Sequence, residues 1–190
     1  MTDAGGSVDP GWPSFRAILR GFLPGIALIQ MGRLPKNRNG LLQLRATLVY
    51  LTVALVIFGC VLTVIVPTKH THVMPWIAIL AGVVIYSVAG VTWGMRKPLP
   101  CDTLTALAGG YRARFFLVIA FSESVALFGL VFTFLGAPVW IYYLAAVFTI
   151  VRVWTVAPPT RAAIARDQQA LTNRGCGLLL LDALQPHGID

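Results

Sequence analysis

The chain has 190 residues, of which 57% are hydrophobic and only 12% charged. A soluble domain carries about 25% charged residues, so half that load, spread over long uncharged runs, excludes an ordinary soluble domain and places the chain in the membrane class. Its formal charge of +8 would suit a nucleic-acid binder in a soluble protein. In a membrane chain, cationic flanks orient helices and meet anionic headgroups, so the bilayer is the expected partner and nucleic acid is not.

Residues 1–12 read as disordered. From Ser14 to Leu23, Phe15, Ile18, Leu19 and Phe22 recur at helical spacing with Arg16 and Arg20 on the other side, which predicts an amphipathic helix lying in the interface. Pro24 and Gly25 interrupt it. Residues 24–32 are too short to span a bilayer, which leaves a re-entrant element open. Arg33, Lys36, Arg38 and Arg45 follow in a polar linker. The first nine residues hold Asp3 and Asp9 and no Lys or Arg, and no small-residue cleavage site follows, so the first span is expected to act as an uncleaved anchor.

Four uncharged or nearly uncharged runs then predict transmembrane helices at 46–66, 75–95, 115–135 and 138–157. Pro67 closes the first, and Thr68–Met74 is a short loop carrying Lys69, His70 and His72. Arg96 and Lys97 stop the second. Cys101–Arg114 reads as a loop, with a short surface helix around Thr103–Leu107 ended by Gly109 and Gly110. Gly136–Pro138 is a tight turn that makes the third and fourth helices antiparallel neighbours, and Pro158–Pro159 ends the fourth. Thr160 is a candidate N-cap for a short helix over Arg161–Leu171. Leu178–Leu184 is expected to fold back against the membrane surface. The expected fold is therefore all-α: a four-helix transmembrane bundle (46–157) between an N-terminal region (1–45) with an interfacial amphipathic helix and a cytoplasmic tail (158–190) with a short helix.

Basic residues fix the expected orientation. Fourteen of the fifteen Lys and Arg fall in the N-terminal region, the loop between the second and third spans, and the C-terminal side; only Lys69 lies opposite. By the positive-inside rule both termini face the cytoplasm. Trp76, Trp140, Tyr142 and Tyr143 fall near the outer boundary, and Trp93 and Trp154 near the inner one. Cys101 and Cys176 then lie on the reducing side with Cys60 inside a span, so neither a disulfide nor a structural zinc is expected.

Glu123 is the only glutamate, flanked by Ser122 and Ser124 in an apolar span. Insertion scales charge about 2.5–3.5 kcal/mol for an ionised side chain at a helix centre, so such a residue is a functional candidate by default. At about 1.5 Å per residue, Glu123 stands roughly 12 Å above the cytoplasmic end of its helix. Ser87 and Thr149 share that level, Tyr86 is one residue away, and Arg152 lies about 4–5 Å lower. The expected site is a polar layer of Tyr86, Ser87, Ser122, Glu123, Ser124, Thr149 and Arg152, in which a Glu123–Arg152 ion pair is geometrically allowed. Small-residue rows (Ala78, Gly82, Gly90, Gly94; Ser122, Ala126, Gly129) suit close helix packing within the chain or self-association.

The segment Arg112-Ala-Arg-Phe115-Phe116-Leu-Val-Ile-Ala-Phe-Ser-Glu123, continuing through Leu127-Phe128-Gly129-Leu130-Val131, resembles the ion-binding helix of rotary ATP synthase c subunits. In that family a basic loop leads through paired aromatics to a membrane carboxylate seven residues beyond the second aromatic. The resemblance implies that Glu123 binds a proton or sodium ion. The first and fourth spans have no counterpart in that family's hairpin, and its alternating glycine run is thin here. The chain is also similar to small actinobacterial integral membrane proteins with an Arg…Phe-Phe…Glu third helix, and its excess of Arg over Lys, twelve to three, fits a high-GC bacterium.

His70 and His72 form an H-x-H, the one candidate for a metal, with no third ligand near it. No GxSxG, HExxH, P-loop or paired carboxylates occur, so the sequence points away from an enzyme and implies no cofactor. Two functions remain: a membrane scaffold or accessory subunit packed through the polar layer around Glu123, in the bacterial cytoplasmic membrane with other membrane proteins as partners, and a proton- or ion-handling protein in which Glu123 titrates.

Overall fold

A computed structural model describes residues 9, 11, 12, 40–66 and 73–184. The proposed interfacial helix at 14–23, the segment 24–32, Arg33, Lys36, Arg38, His70 and His72 lie outside them. The described residues form helices α1 (Gly40–Ile65), α2 (Met74–Arg96), α3 (Leu104–Phe134), α4 (Val139–Val156), α5 (Arg161–Thr172) and α6 (Leu180–Leu184), with no strand among them. The first four are each long and apolar enough to cross a membrane.

Two of these helices start earlier than hydropathy suggests. α1 begins at Gly40 and takes in Arg45, and α3 begins at Leu104 and runs through Gly109 and Gly110. Most of the expected loop at 101–114, with its short surface helix, is therefore the first three turns of a continuous helix, from Leu104 onward. Thr103 starts it by accepting the Ala106 N–H on its hydroxyl at 3.1 Å, which is the chemistry of an N-cap. A mid-helix glycine costs about 1 kcal/mol against alanine. Gly110 has a packing reason to stay: a Cβ there would stand 2.5 Å from the Pro100 ring.

The chain divides into two compact units. One comprises 51–98 and 113–158, and the other gathers 1–50, 99–112 and 159–190. The first of these is built from membrane-span helices. Its core joins Leu80 of α2, Val125 and Phe132 of α3, Ala137 of the turn after α3, and Ile141 and Ala145 of α4. A second cluster sets Leu62 of α1 against Tyr142 and Ala146 of α4. The small-residue row of α2 divides by neighbour. Gly90 is overlaid by the Phe121 ring and Gly94 by Leu117, whereas Gly82 faces open space. Gly129 of α3 meets Ala145, whose Cβ would lie 2.7 Å from an added one. Such close backbone approaches are how helices associate when burial from water offers no drive. Gly136 turns the chain from α3 to α4 at φ 105, a conformation that side chains with a Cβ rarely adopt. There Ala137 N–H donates to Phe132 O at 2.8 Å.

α1 and α4 are tied by hydrogen bonds. Tyr142 hydroxyl donates to Leu55 O at 2.7 Å, Tyr143 hydroxyl to Gly59 O at 2.9 Å, and Trp154 Nε1 to Thr52 Oγ1 at 2.9 Å. The three acceptors sit at helical spacing along one face of α1. Tyr142 is 1% exposed, so this ring is a packing element. The sequence placed it in an interfacial belt because a tyrosine near a span end has that signature whether its hydroxyl meets a headgroup or a carbonyl. Trp93, by contrast, is exposed and carries Lys97 Nζ 3.8 Å from its ring centroid.

The other unit is held by charge and a covalent link. Arg45, expected in a basic linker, is 1% exposed. Its Nη1 and Nη2 donate to the two Asp9 carboxylate oxygens at 2.6 and 2.8 Å. Nη1 also donates to Gly11 O at 2.5 Å, and Nη2 to Pro159 O at 2.8 Å. Trp12 lies against the guanidinium, with its centroid 5.2 Å from Cζ. A buried arginine is tolerable when a carboxylate and further acceptors replace its water, and here they come from both ends of the chain. Asp9, Gly11 and Trp12 are thus held in place, where a disordered segment was expected. The Arg45 guanidinium draws the Asp9 carboxyl well below its usual range, to about 2.

Cys101 and Cys176 form a disulfide, with Cα atoms 6.0 Å apart. This corrects the expectation of free thiols, which rested on compartment alone. A 75-residue separation gives no hint that the fold juxtaposes the two. Arg174 adds a long hydrogen bond from Nη1 to Leu99 O at 3.4 Å. Thr160 caps α5, accepting the Ala163 N–H at 3.2 Å, and Gly175, at φ 79, closes its far end. The terminal apolar stretch folds back onto α5. Gln168 does this by bonding the backbone twice: its Oε1 accepts from Leu180 N–H at 2.7 Å and its Nε2 donates to Leu178 O at 3.1 Å.

Candidate functional site

The polar layer singled out in the sequence lies wholly within the span-built unit. α3 supplies Ser122, Glu123 and Ser124, α2 supplies Tyr86 and Ser87, and α4 supplies Thr149 and Arg152. What gathers its core is the α3 backbone at 121–122. Ser87 Oγ donates to Phe121 O from α2, Thr149 Oγ1 donates to Ser122 O at 2.9 Å from α4, and Ser124 Oγ donates back to Phe121 O at 2.8 Å within α3. Ser87, Ser122 and Thr149 are fully buried. A helix carbonyl keeps a lone pair free after its own i→i+4 bond, and a hydroxyl in an apolar setting has few other acceptors. Hydroxyl-to-carbonyl bonds therefore satisfy the Ser87, Ser124 and Thr149 donors and pin α3 to both neighbours.

Glu123, one residue beyond Ser122, is rotated about 100° from it around the helix. That rotation takes the carboxylate out of the bonded seam to a half-buried position. Among the described residues it forms no ion pair, and the ion pair with Arg152 that spacing allowed is not made. Arg152 is also half-buried, with its Nε enclosed and without a hydrogen-bond partner among the described residues. Ser122 Oγ is a second enclosed polar atom with none among the described residues. Tyr86 is 65% exposed and meets the layer only through its ring, edge-on to Phe121 with centroids 5.7 Å apart.

The arrangement thus brings Ser87, Ser122, Ser124 and Thr149 together around one stretch of backbone, with Glu123 beside them and Tyr86 at the margin. Sequence reasoning ranked side chains and missed that the shared acceptors are the carbonyls of Phe121 and Ser122. It also missed the Tyr142, Tyr143 and Trp154 bonds to α1. The available signal was Gly59 opposite two tyrosines, since a Cβ there would stand 2.9 Å from the Tyr143 ring. Among the described residues no three His, Cys, Asp or Glu side chains come together as metal ligands.

Fold and site define the class: a helical membrane protein with four candidate spans, whose inter-helix contacts include a hydroxyl–carbonyl seam with a carboxylate at its edge. No protein-family profile, curated protein or solved structure matches the chain.

Proposed function

We propose that this protein is a non-enzymatic scaffold or accessory subunit of a bacterial cytoplasmic membrane, which docks another membrane protein on the face of α3 that carries Glu123. The observation that carries this reading is the contrast inside the layer. The hydroxyls of Ser87, Ser124 and Thr149 are spent on bonds within the chain, whereas the Glu123 carboxylate meets neither a cation nor a hydrogen-bond donor among the described residues. A carboxyl in an apolar span needs a donor, a cation or a proton, and a partner helix with a basic or hydroxyl side chain at that depth would supply the first two. The excess of Lys and Arg on one side of the four candidate spans supports a topology with both termini in the cytoplasm.

The same observation favours one other reading. A carboxyl without an ion-pair partner is free to exchange a proton, and the segment around it resembles the c-subunit ion-binding helix, so Glu123 would be the titrating group of a proton- or ion-handling protein. An apolar carbodiimide, which attacks protonated carboxyls, separates the two, with Glu123→Gln as control. For a scaffold, the wild-type chain in its native membrane resists labelling between pH 6 and 8, and Glu123→Gln migrates at a lower native mass than wild type. For an ion handler, labelling titrates near neutral pH and the native mass is unchanged. Wild-type mass together with no titrating label sinks both readings.

A further inference from the structure

The Cys101–Cys176 disulfide stands in a place where disulfides do not ordinarily persist. It ties the segment just before α3 to the turn after α5, and both lie on the side that the basic residues assign to the cytoplasm, where thiols are kept reduced. The two cysteines differ in access. Cys101 is exposed, while Cys176 is 6% exposed, packed behind a turn that Gly175 closes and that bonds Cys176 N–H to Leu171 O at 3.1 Å. Without the covalent link, the Arg174–Leu99 hydrogen bond, at the long limit of 3.4 Å, still ties these segments.

We propose that Cys101–Cys176 is a thiol–disulfide exchange site for a protein dithiol, and that its redox state governs how firmly α5 and α6 are held. Cys101 is the exposed residue of the pair, so its sulfur is assigned as the one an incoming thiolate attacks. That thiolate attacks Cys101 Sγ, a new S–S bond forms between them, and the Cys101–Cys176 bond breaks with the electron pair leaving on Cys176 Sγ, which takes a proton. The second thiol of the dithiol, as its thiolate, then attacks its own partner's sulfur in the mixed disulfide. This releases Cys101 as a thiol and leaves the dithiol oxidised. Two electrons and two protons pass to this chain, and the reverse steps, with an oxidised dithiol, restore the bond. A persistent structural disulfide needs no such asymmetry of access.

The inference rests on the orientation proposed above, and the test reads the two separately. In cells making the full-length Cys60→Ser chain, thiols are trapped in acid and counted by a mass-tagging maleimide before and after pulses of diamide and dithiothreitol. In parallel, Cys60→Ser/Cys176→Ser spheroplasts are probed with a membrane-impermeant maleimide. The expected result is a pair that shuttles reversibly between both states, a Cys101 protected from outside, and a mixed disulfide at Cys101 when the oxidised protein meets a thioredoxin-type dithiol lacking its resolving cysteine. Trypsin cleavage after Arg174 should rise several-fold on reduction. A protected Cys101 with a pair locked in one state overturns the exchange site and leaves the orientation standing. Labelling of Cys101 from outside overturns the orientation, and the exchange site with it. An adduct on Cys176 in place of Cys101 overturns the proposed direction of attack.

Discussion

The two units of this protein are held together by opposite means. The core of the span-built unit uses small residues, aromatic rings and single hydroxyl–carbonyl bonds, and charge enters the unit near a helix end, where Lys97 lies over Trp93. The unit made from the N-terminal segment, the start of α3 and the tail uses a buried ion pair, a disulfide and a glutamine that bonds backbone twice. The difference follows from what each can bury. Between apolar helices in lipid, close packing is the available attraction and polar bonds add little each. In a unit with few long apolar elements, a handful of strong, specific links must substitute for a large core, and each matters more.

The largest expected effect therefore lies at Asp9. Asp9→Ala leaves the Arg45 charge buried without its carboxylate, and breaking such a pair typically costs about 3–5 kcal/mol. Proteolysis of the tail should accelerate sharply while the α2–α3–α4 core stays protected. Arg45→Met in the same background should recover most of the loss, since a well-packed apolar replacement for an ion pair is often neutral. If Asp9→Ala instead loosens both units equally, the contrast drawn here is wrong.

Next is Gly90→Leu, which drives a side chain into the Phe121 ring. Overpacking of this kind costs about 1–3 kcal/mol and should lower the thermal midpoint of the span-built unit in detergent. Gly82→Ala, with open space around it, should move that midpoint little, which separates crowding from the mere loss of a glycine.

Acidification comes third. The Asp9 carboxyl sits at about 2 in the folded chain against 3.8 ordinarily. Lowered in this way, it adds stability that is present in full above its ordinary value and lost as pH falls from there through about 2. At 1.36 kcal/mol per pH unit the contribution is roughly 2 kcal/mol. Tail protection should hold constant from pH 5 to 8 and decline only below about pH 4; Asp9→Asn should flatten that decline. Smallest of all is Tyr142→Phe, which deletes the bond to Leu55 O. Membrane hydrogen bonds average about 0.6 kcal/mol, so a shift of a degree or two in the thermal midpoint is expected.

Much of the span architecture was legible because hydropathy and punctuation agree. Pro67, Arg96 and the Gly136–Pro138 turn each sit within a few residues of a helix end. The starts of α1 and α3 were not legible. Hydropathy locates residues that suit lipid, whereas a helix begins where backbone hydrogen bonding begins, and packing can carry that into polar sequence. Glu123 stood out because an ionisable group in an apolar run is rare. Its geometry did not, since a level shared by two helices fixes height and leaves rotation open, and rotation turns the carboxylate out of the seam. Arg45 was read as a surface charge because Asp9 and Pro159, its two chief partners, lie 36 and 114 residues away.

The hydrogen bonds from Tyr142, Tyr143 and Trp154 to α1 have a bearing on biosynthesis. They join the first of the four candidate spans to the fourth, which the ribosome makes later. Until α4 emerges these three bonds cannot form, and a chain stalled after α3 presents that face of α1 to lipid or to whatever insertion factor lies beside it. α4 is thus the clasp on α1, and quality control that samples this face of α1 would distinguish chains with α4 docked from chains without it.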